Sequence, residues 1–142
     1  MIVLDTNVLS ETLRPAPAPE VMAWLSSQRS SALFTTTITR AELLYGVQLL
    51  PDGQRKVGFL SAIQGIFDHD LAGQVLSFDS AAADVFAGIA AFRKLAGQPI
   101  SQFDAMIAAI ARSRGATLAT RNSKDFNDCG VELINPWIFA GN

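Results

Sequence analysis

At 142 residues the chain suits one domain spanning 1–142, long enough to bury a core of its own. Its 49% hydrophobic and 17% charged residues point to a compact, soluble protein, and a formal charge of −2 supplies no global basic field, so any nucleic-acid contact must come from a local patch. One cysteine (Cys129) and one histidine (His69) exclude an internal disulfide and a Cys/His zinc site, and the lack of any apolar run of membrane-spanning length predicts a cytoplasmic protein without membrane contact.

The chain opens on Met1-Ile2-Val3-Leu4, a short apolar run that reads as a buried strand, followed by Asp5-Thr6-Asn7, a turn into a short helix near Val8–Leu13. Pro15, Pro17 and Pro19 punctuate a connector, and Pro19 fits the first turn of the next helix with Val21, Trp24 and Leu25 on one face. Ala32–Thr35 reads as a second strand. A helix over about Thr39–Leu50 carries Leu43, Leu44, Val47 and Leu50 as its apolar stripe and stops at Pro51-Asp52-Gly53. Gln54–Phe67 is read as helical despite Gly58 and Gly65.

Gln74–Phe78 is the third predicted strand. Asp79 or Ser80 then caps a helix bearing Val85, Phe86, Ile89 and Phe92, which ends before Gly97. Ser101–Ser113 is a further helix closed by Gly115, and Thr117–Thr120 and Val131–Ile134 complete the strands. Strands alternating with helices predict a three-layer α/β/α domain around a parallel sheet of about five strands.

Three acids stand at strand-to-helix junctions: Asp5, Glu42 and Asp104. Each has a structural explanation. Asp5 can cap the first helix, and Thr39-Arg40-Ala41-Glu42 and Ser101-Gln102-Phe103-Asp104 both match a capping box. Jointly they say more, because acids that follow parallel strands point to one edge of the sheet, where α/β folds bind ligands. Three carboxylates converging there repel unless a cation lies between them. Oxygen ligands without His or Cys suit Mg²⁺ or Mn²⁺, which can activate water and neutralise a phosphate.

The segment Thr120-Arg121-Asn122-Ser123-Lys124-Asp125-Phe126 follows the fourth strand. Thr120 and Asn122 can hydrogen-bond a carboxylate or a ligand. Asp125 is either a fourth acid or part of a solvated turn. Arg121 and Lys124 are the candidates for RNA phosphate, with Arg40 also beside the pocket; Arg112 and Arg114 suit a helix C-terminus and solvent instead.

Met1-Ile-Val-Leu-Asp-Thr-Asn-Val-Leu-Ser-Glu11, Thr39-Arg-Ala-Glu-Leu-Leu-Tyr-Gly46, Phe103-Asp-Ala-Met-Ile-Ala-Ala108, Thr120–Phe126 and Val131-Glu-Leu-Ile-Asn-Pro-Trp137, in this order and spacing, resemble the PIN-domain family and within it the VapC-type ribonuclease toxins of toxin–antitoxin pairs. The resemblance implies a strand order 3-2-1-4-5 and a Mg²⁺/Mn²⁺-dependent endoribonuclease that hydrolyses RNA with metal-activated water. It also implies a homodimer, or a larger assembly, silenced by a cognate antitoxin and reaching promoter DNA only through that antitoxin. Asp5, Glu42 and Asp104 match the family's metal-binding acids, and Thr120 a polar residue beside them. At Asn122 many members carry a further Asp. Either Asp125 substitutes for it, or the site holds one ion tightly and a second weakly.

Thr6, Asn7 and Ser10 suit either support of the acids or ordinary helix capping. Phe86, Ile89 and Phe92 suit the core, His69 a solvated loop and Cys129 a turn. Trp24, Trp137 and the Thr39–Leu50 helix suit either the core or an interface. Two rival functions stay open. One is a non-catalytic binding module whose acids only cap helices. The other is an aspartate-dependent phosphotransferase or phosphatase, against which stands the missing second Asp two residues after Asp5.

Overall fold

The computed structural model describes residues 1–141; Asn142, the last residue of the expected domain, lies outside them. Strands β1 (Ile2–Leu4), β2 (Leu33–Thr36), β3 (Val75–Leu76), β4 (Thr117–Ala119) and β5 (Leu133–Ile134) form one parallel sheet in the order β3-β2-β1-β4-β5. This is the order that the family resemblance implied. Around the sheet lie the helices α1 (Thr6–Thr12), α2 (Pro19–Ser27), α3 (Thr37–Gln48), α4 (Gln54–Gly65), α5 (Ser80–Leu95) and α6 (Gln102–Ser113).

The two-residue period of a strand divides the apolar residues between two cores. Val3 and Leu118, partners across β1 and β4, belong to the core that also contains Ile89 of α5 and Ile107 of α6. The next pair, Leu4 and Ala119, belongs to the core of Val8, Trp24, Leu43 and Ile63, which come from α1, α2, α3 and α4. Helices therefore cover both faces, and Trp24 is a core residue. The chain runs from β1 outward to β3, then returns to place β4 on the other side of β1. The strand order thus reverses between β1 and β4, at the point where such sheets open a crevice beyond their carboxyl ends.

Helix α6 is the most enclosed, with Ala105 and every residue from Ile107 to Ala111 at 0% exposure. Its alanines let it lie close to α5 and the sheet. It closes in a Schellman turn: Ala116 N–H donates to Ala111 O at 2.9 Å and Gly115 N–H to Arg112 O at 3.1 Å. Gly115 has φ 64°, a conformation that a Cβ would strain.

Several local expectations are corrected. Helix α3 starts at Thr37 rather than Thr39, because Thr36 Oγ1 caps it by accepting from Thr39 N–H at 3.1 Å. Helix α4 runs into a π-turn over Ile66–Asp70, so His69 is exposed but lies in a helical turn and not a loop. Phe92, expected in the core, is 57% exposed, and the neighbouring Arg93 is buried in its place at 6%. No helix among the described residues is long and apolar enough to cross a membrane.

Candidate active site at the carboxyl edge of the sheet

Asp5 follows β1 and Thr120 follows β4, so parallel pairing sets them side by side. Asp5 N–H donates to Ala119 O at 2.9 Å, and Thr120 N–H to Ile134 O at 2.9 Å, which extends the ladder to the site. Asp5 then turns into α1 as its N-cap, its Oδ1 accepting from Thr6 N–H at 2.8 Å. The capping role expected of Asp5 is real, and the same carboxylate also faces the site: Oδ2 accepts from the Thr120 hydroxyl at 2.7 Å and from Asn7 Nδ2 at 3.4 Å.

Thr120 is fully buried. Its oxygen accepts from Asn122 N–H at 3.1 Å and from Asn7 Nδ2 at 3.2 Å. With both acceptor sites engaged, its one proton is directed at Asp5. Asn122 thus enters the network through its backbone, while Asn7 Oδ1 accepts from Arg121 N–H at 3.3 Å and ties the β4 loop to α1.

Glu42 is not a capping residue. It lies inside α3, whose cap is Thr36, and its Oε1 accepts from the Thr6 hydroxyl at 2.7 Å. Thr6 Oγ1 also lies 3.0 Å from Thr39 Oγ1. Thr6 therefore joins two acids: its backbone holds Asp5 and its side chain holds Glu42. Ser10 is exposed and makes no hydrogen bond to an acid among the described residues.

Asp104 stands in the first turn of α6, whose N-cap Ser101 accepts from Asp104 N–H at 3.2 Å. It shares a recess of about 210 Å³ with Asp125, Ser101 and Arg93. Asp125 thus faces Asp104, though its side chain is largely exposed. On its other side a recess of about 430 Å³ is lined by Arg121, Asn122, Lys124, Asp125 and Asn135. A further cavity of about 580 Å³ is mostly apolar and opens beside the acids, with only Thr6 and Glu42 of the network on its edge.

The electrostatics follow from this placement. Burial pushes Asp5 up to about 6, against the hydrogen bonds from Thr120 and Thr6, and the negative charges of Asp104 and Glu42 add to the rise. Burial likewise raises Asp104, with Asp125 adding to it. The acids therefore sense one another across the crevice. They do not form a finished cage: no three His, Cys, Asp or Glu side chains are grouped to hold a metal ion among the described residues. The donor set is nonetheless all oxygen and carries excess negative charge, which fits a hard divalent cation and no soft one.

Of the basic residues, Arg121 lies over the Trp137 ring at 5.2 Å, at the edge of the loop recess with Lys124. Arg40 instead lies over the Phe67 ring at 5.1 Å. Arg112 donates to Cys129 O at 3.5 Å and Arg114 pairs with Asp79 at 3.6 Å, so both fasten loops. Sequence reading missed two buried charges. Glu11, 5% exposed, accepts from Ala18 N–H at 2.9 Å and pins the proline connector. Arg93 continues the inward row Ala82, Phe86, Ile89 at helical spacing, a signal that the apolar Phe92 beside it obscured.

A family model described as PIN domain matches residues 2–131. The chain is 40% identical over 137 residues to VapC ribonuclease Y4jK of Sinorhizobium fredii, covering 96% of this chain and 98% of that protein. It is 39% identical over 137 residues to Toxin FitB of Neisseria gonorrhoeae, covering 96% and 99%. A chain in the solved structure of FitAB bound to IR36 DNA fragment matches with a TM-score of 0.90 at 39% identity, with 96% of each chain covered.

Proposed function

Because the chain belongs to the PIN-domain family and, within it, to the VapC-type toxins of toxin–antitoxin pairs, we propose that it is a Mg²⁺- or Mn²⁺-dependent endoribonuclease. The observation that carries this reading is the position of Asp5, buried at the switch point between β1 and β4 and burdened by the charges of Glu42 and Asp104 with no neutralising side chain among them. Asp5, Glu42 and Asp104 would hold the cation. Bound there, it supplies water activation and charge neutralisation at the phosphodiester.

The chain's own residues orient and exclude. Thr120 and Asn7 fix Asp5 Oδ2, and Thr6 fixes Glu42. Arg121 and Lys124 line the adjoining recess and would take the RNA backbone there. The single histidine, His69, lies in the turn after α4 and makes no hydrogen bond to the acids among the described residues.

The partners proposed are an RNA substrate, a second copy of the chain and a cognate antitoxin. The similarity to the toxin chain of FitAB supports the antitoxin, and contact with promoter DNA would pass through it. A second reading, a PIN-like module that binds without cleaving, draws support from the absence of a ready-made ion cage among the described residues. Cleavage of a mixed RNA pool with and without EDTA separates the two. Metal-dependent products that vanish in Asp104→Asn support the nuclease. An inert wild type with Mn²⁺ present supports the binding module.

A further inference from the structure

Arg93 is a charge in an unusual place: 6% exposed on α5, with no carboxylate partner among the described residues. Burying a guanidinium is unfavourable unless its donors are used, and here they are used on backbone. Arg93 Nε donates to Gln98 O at 2.6 Å, and Nη1 donates to Asp125 O and to Asn127 O, both at 2.9 Å. Cys129 Sγ lies 3.6 Å from the same nitrogen. Gln98 N–H returns a bond to Arg93 O at 2.9 Å, so these two residues hold each other in both directions.

The two tethered segments are the ones that carry acids. Gln98 begins the connector into Ser101 and the first turn of α6, where Asp104 stands. Asp125 and Asn127 belong to the short turn over Ser123–Phe126 and its exit. That turn makes few bonds of its own and is anchored in the core by Phe126, 2% exposed. Arg93 is its second anchor, and it lines the recess that Asp104 and Asp125 share. A leucine or methionine would satisfy the apolar row of α5 but would take the guanidinium donor from Gln98 O and Asp125 O and leave Asn127 O with only the Cys129 thiol at 3.7 Å.

We propose that Arg93 is a positioning residue of the acidic site: its buried guanidinium fixes the turn bearing Asp125 against the start of α6 bearing Asp104, so that both acids serve one site. This rests on the reading of the acids as a cation site.

The test uses the full chain as wild type, Arg93→Lys, Arg93→Met, Asp125→Asn and the Arg93→Lys/Asp125→Asn double variant, with circular dichroism to confirm folding. Three quantities are read: Mn²⁺ affinity by calorimetry, amide exchange over residues 123–129, and kcat and KM on RNA. A lysine keeps the charge but cannot reach carbonyls on both sides. Arg93→Lys is expected to speed exchange of the turn amides, to lower Mn²⁺ affinity and kcat about tenfold, and to leave KM within about twofold. In the Asp125→Asn background it should cause no further loss of affinity, because it acts through that acid. Wild-type Mn²⁺ affinity in every Arg93 variant that folds overturns the proposal, as does an equal loss in both backgrounds. Asp104→Asn, measured alongside, separates the two claims: if it retains Mn²⁺, the cation-site reading itself falls; if it loses Mn²⁺ while the Arg93 variants do not, only the role of Arg93 falls.

Discussion

Asp5 and Thr120 end neighbouring strands and meet through a 2.7 Å hydrogen bond in which the threonine hydroxyl, already accepting from two N–H groups, has only the carboxylate left as its acceptor. Thr120→Val keeps the shape and removes the donor. It leaves a buried carboxylate oxygen with the longer bond from Asn7 alone, at 3.4 Å. The expected cost is about 1–3 kcal/mol of stability and about a 10- to 100-fold loss of cleavage. Thr120→Ser should keep most of both. Urea unfolding and single-turnover cleavage of the two variants check this.

The burial that pushes Asp5 up to about 6 makes stability depend on pH. The folded chain holds this proton at a pH where the unfolded chain, near 3.8, has released it. Asp5 therefore contributes fully below about pH 4, and its contribution is lost as pH rises through about 6, a change on the order of 3 kcal/mol. Asp5→Asn should accordingly be more stable than wild type at pH 7.5 and show no advantage at pH 4. Comparing the two proteins at each pH also cancels Glu11, whose carboxyl is held below its ordinary range by the Ala18 N–H and then by Arg14, and which stabilises in the opposite direction. Denaturant midpoints at both pH values decide it.

Glu42 and Thr36 separate capping from function. Thr36 holds Thr39 N–H at the start of α3, so Thr36→Ala should lose about 1 kcal/mol through the cap. Glu42→Gln can still accept from Thr6 and caps nothing, so it should unfold within about 0.5 kcal/mol of wild type and yet lose cleavage. A large loss of stability in Glu42→Gln would restore the capping-box explanation.

Much of the fold was legible because it rests on short-range signals. Apolar runs at Met1–Leu4 and Thr117–Thr120, the caps Asp79 and Ser101, and Gly115 after α6 each mark a boundary within a residue or two. The α3 boundary slipped because Thr36, Thr37 and Thr39 all suit a cap, and only the tertiary position of β2 decides among them. Asp5 could be named from its place after a strand. Glu42 lies inside α3, and Asp104 stands at the start of a helix that follows α5 and not a strand, so the strand-to-helix expectation is corrected for both, and the family resemblance is what singled them out. The supports of the acids could not be named, since Thr6 and Glu42 are 36 residues apart and Asn7 and Thr120 are 113 apart. Arg93 was hidden for a different reason. A hydrophobic pattern assigns Phe92 to the inside, while the unpaired carbonyls of a distant turn draw the arginine in instead.

Arg121 and Lys124 border the recess beside Asp125, and the net charge of the chain is −2, so the phosphate contacts must be few and local. Each of Arg121→Ala and Lys124→Ala should weaken RNA binding at every sequence tested and reduce the slope of log K against log salt by about 1. Filter binding of a catalytically silent Asp104→Asn background across a salt series measures it. Unchanged slopes would place the RNA path elsewhere.

The most direct measurement is Mn²⁺ binding by calorimetry at pH 7.5 to wild type and to Asp5→Asn/Asp104→Asn, with circular dichroism to show that both fold. The account predicts that wild type binds the ion and that the folded double variant does not, because removing two of the coupled charges removes the reason for a cation to lie between them. A folded wild type that binds no Mn²⁺, or a double variant that binds it equally well, would contradict the assignment of Asp5, Glu42 and Asp104 as a metal-dependent nuclease site.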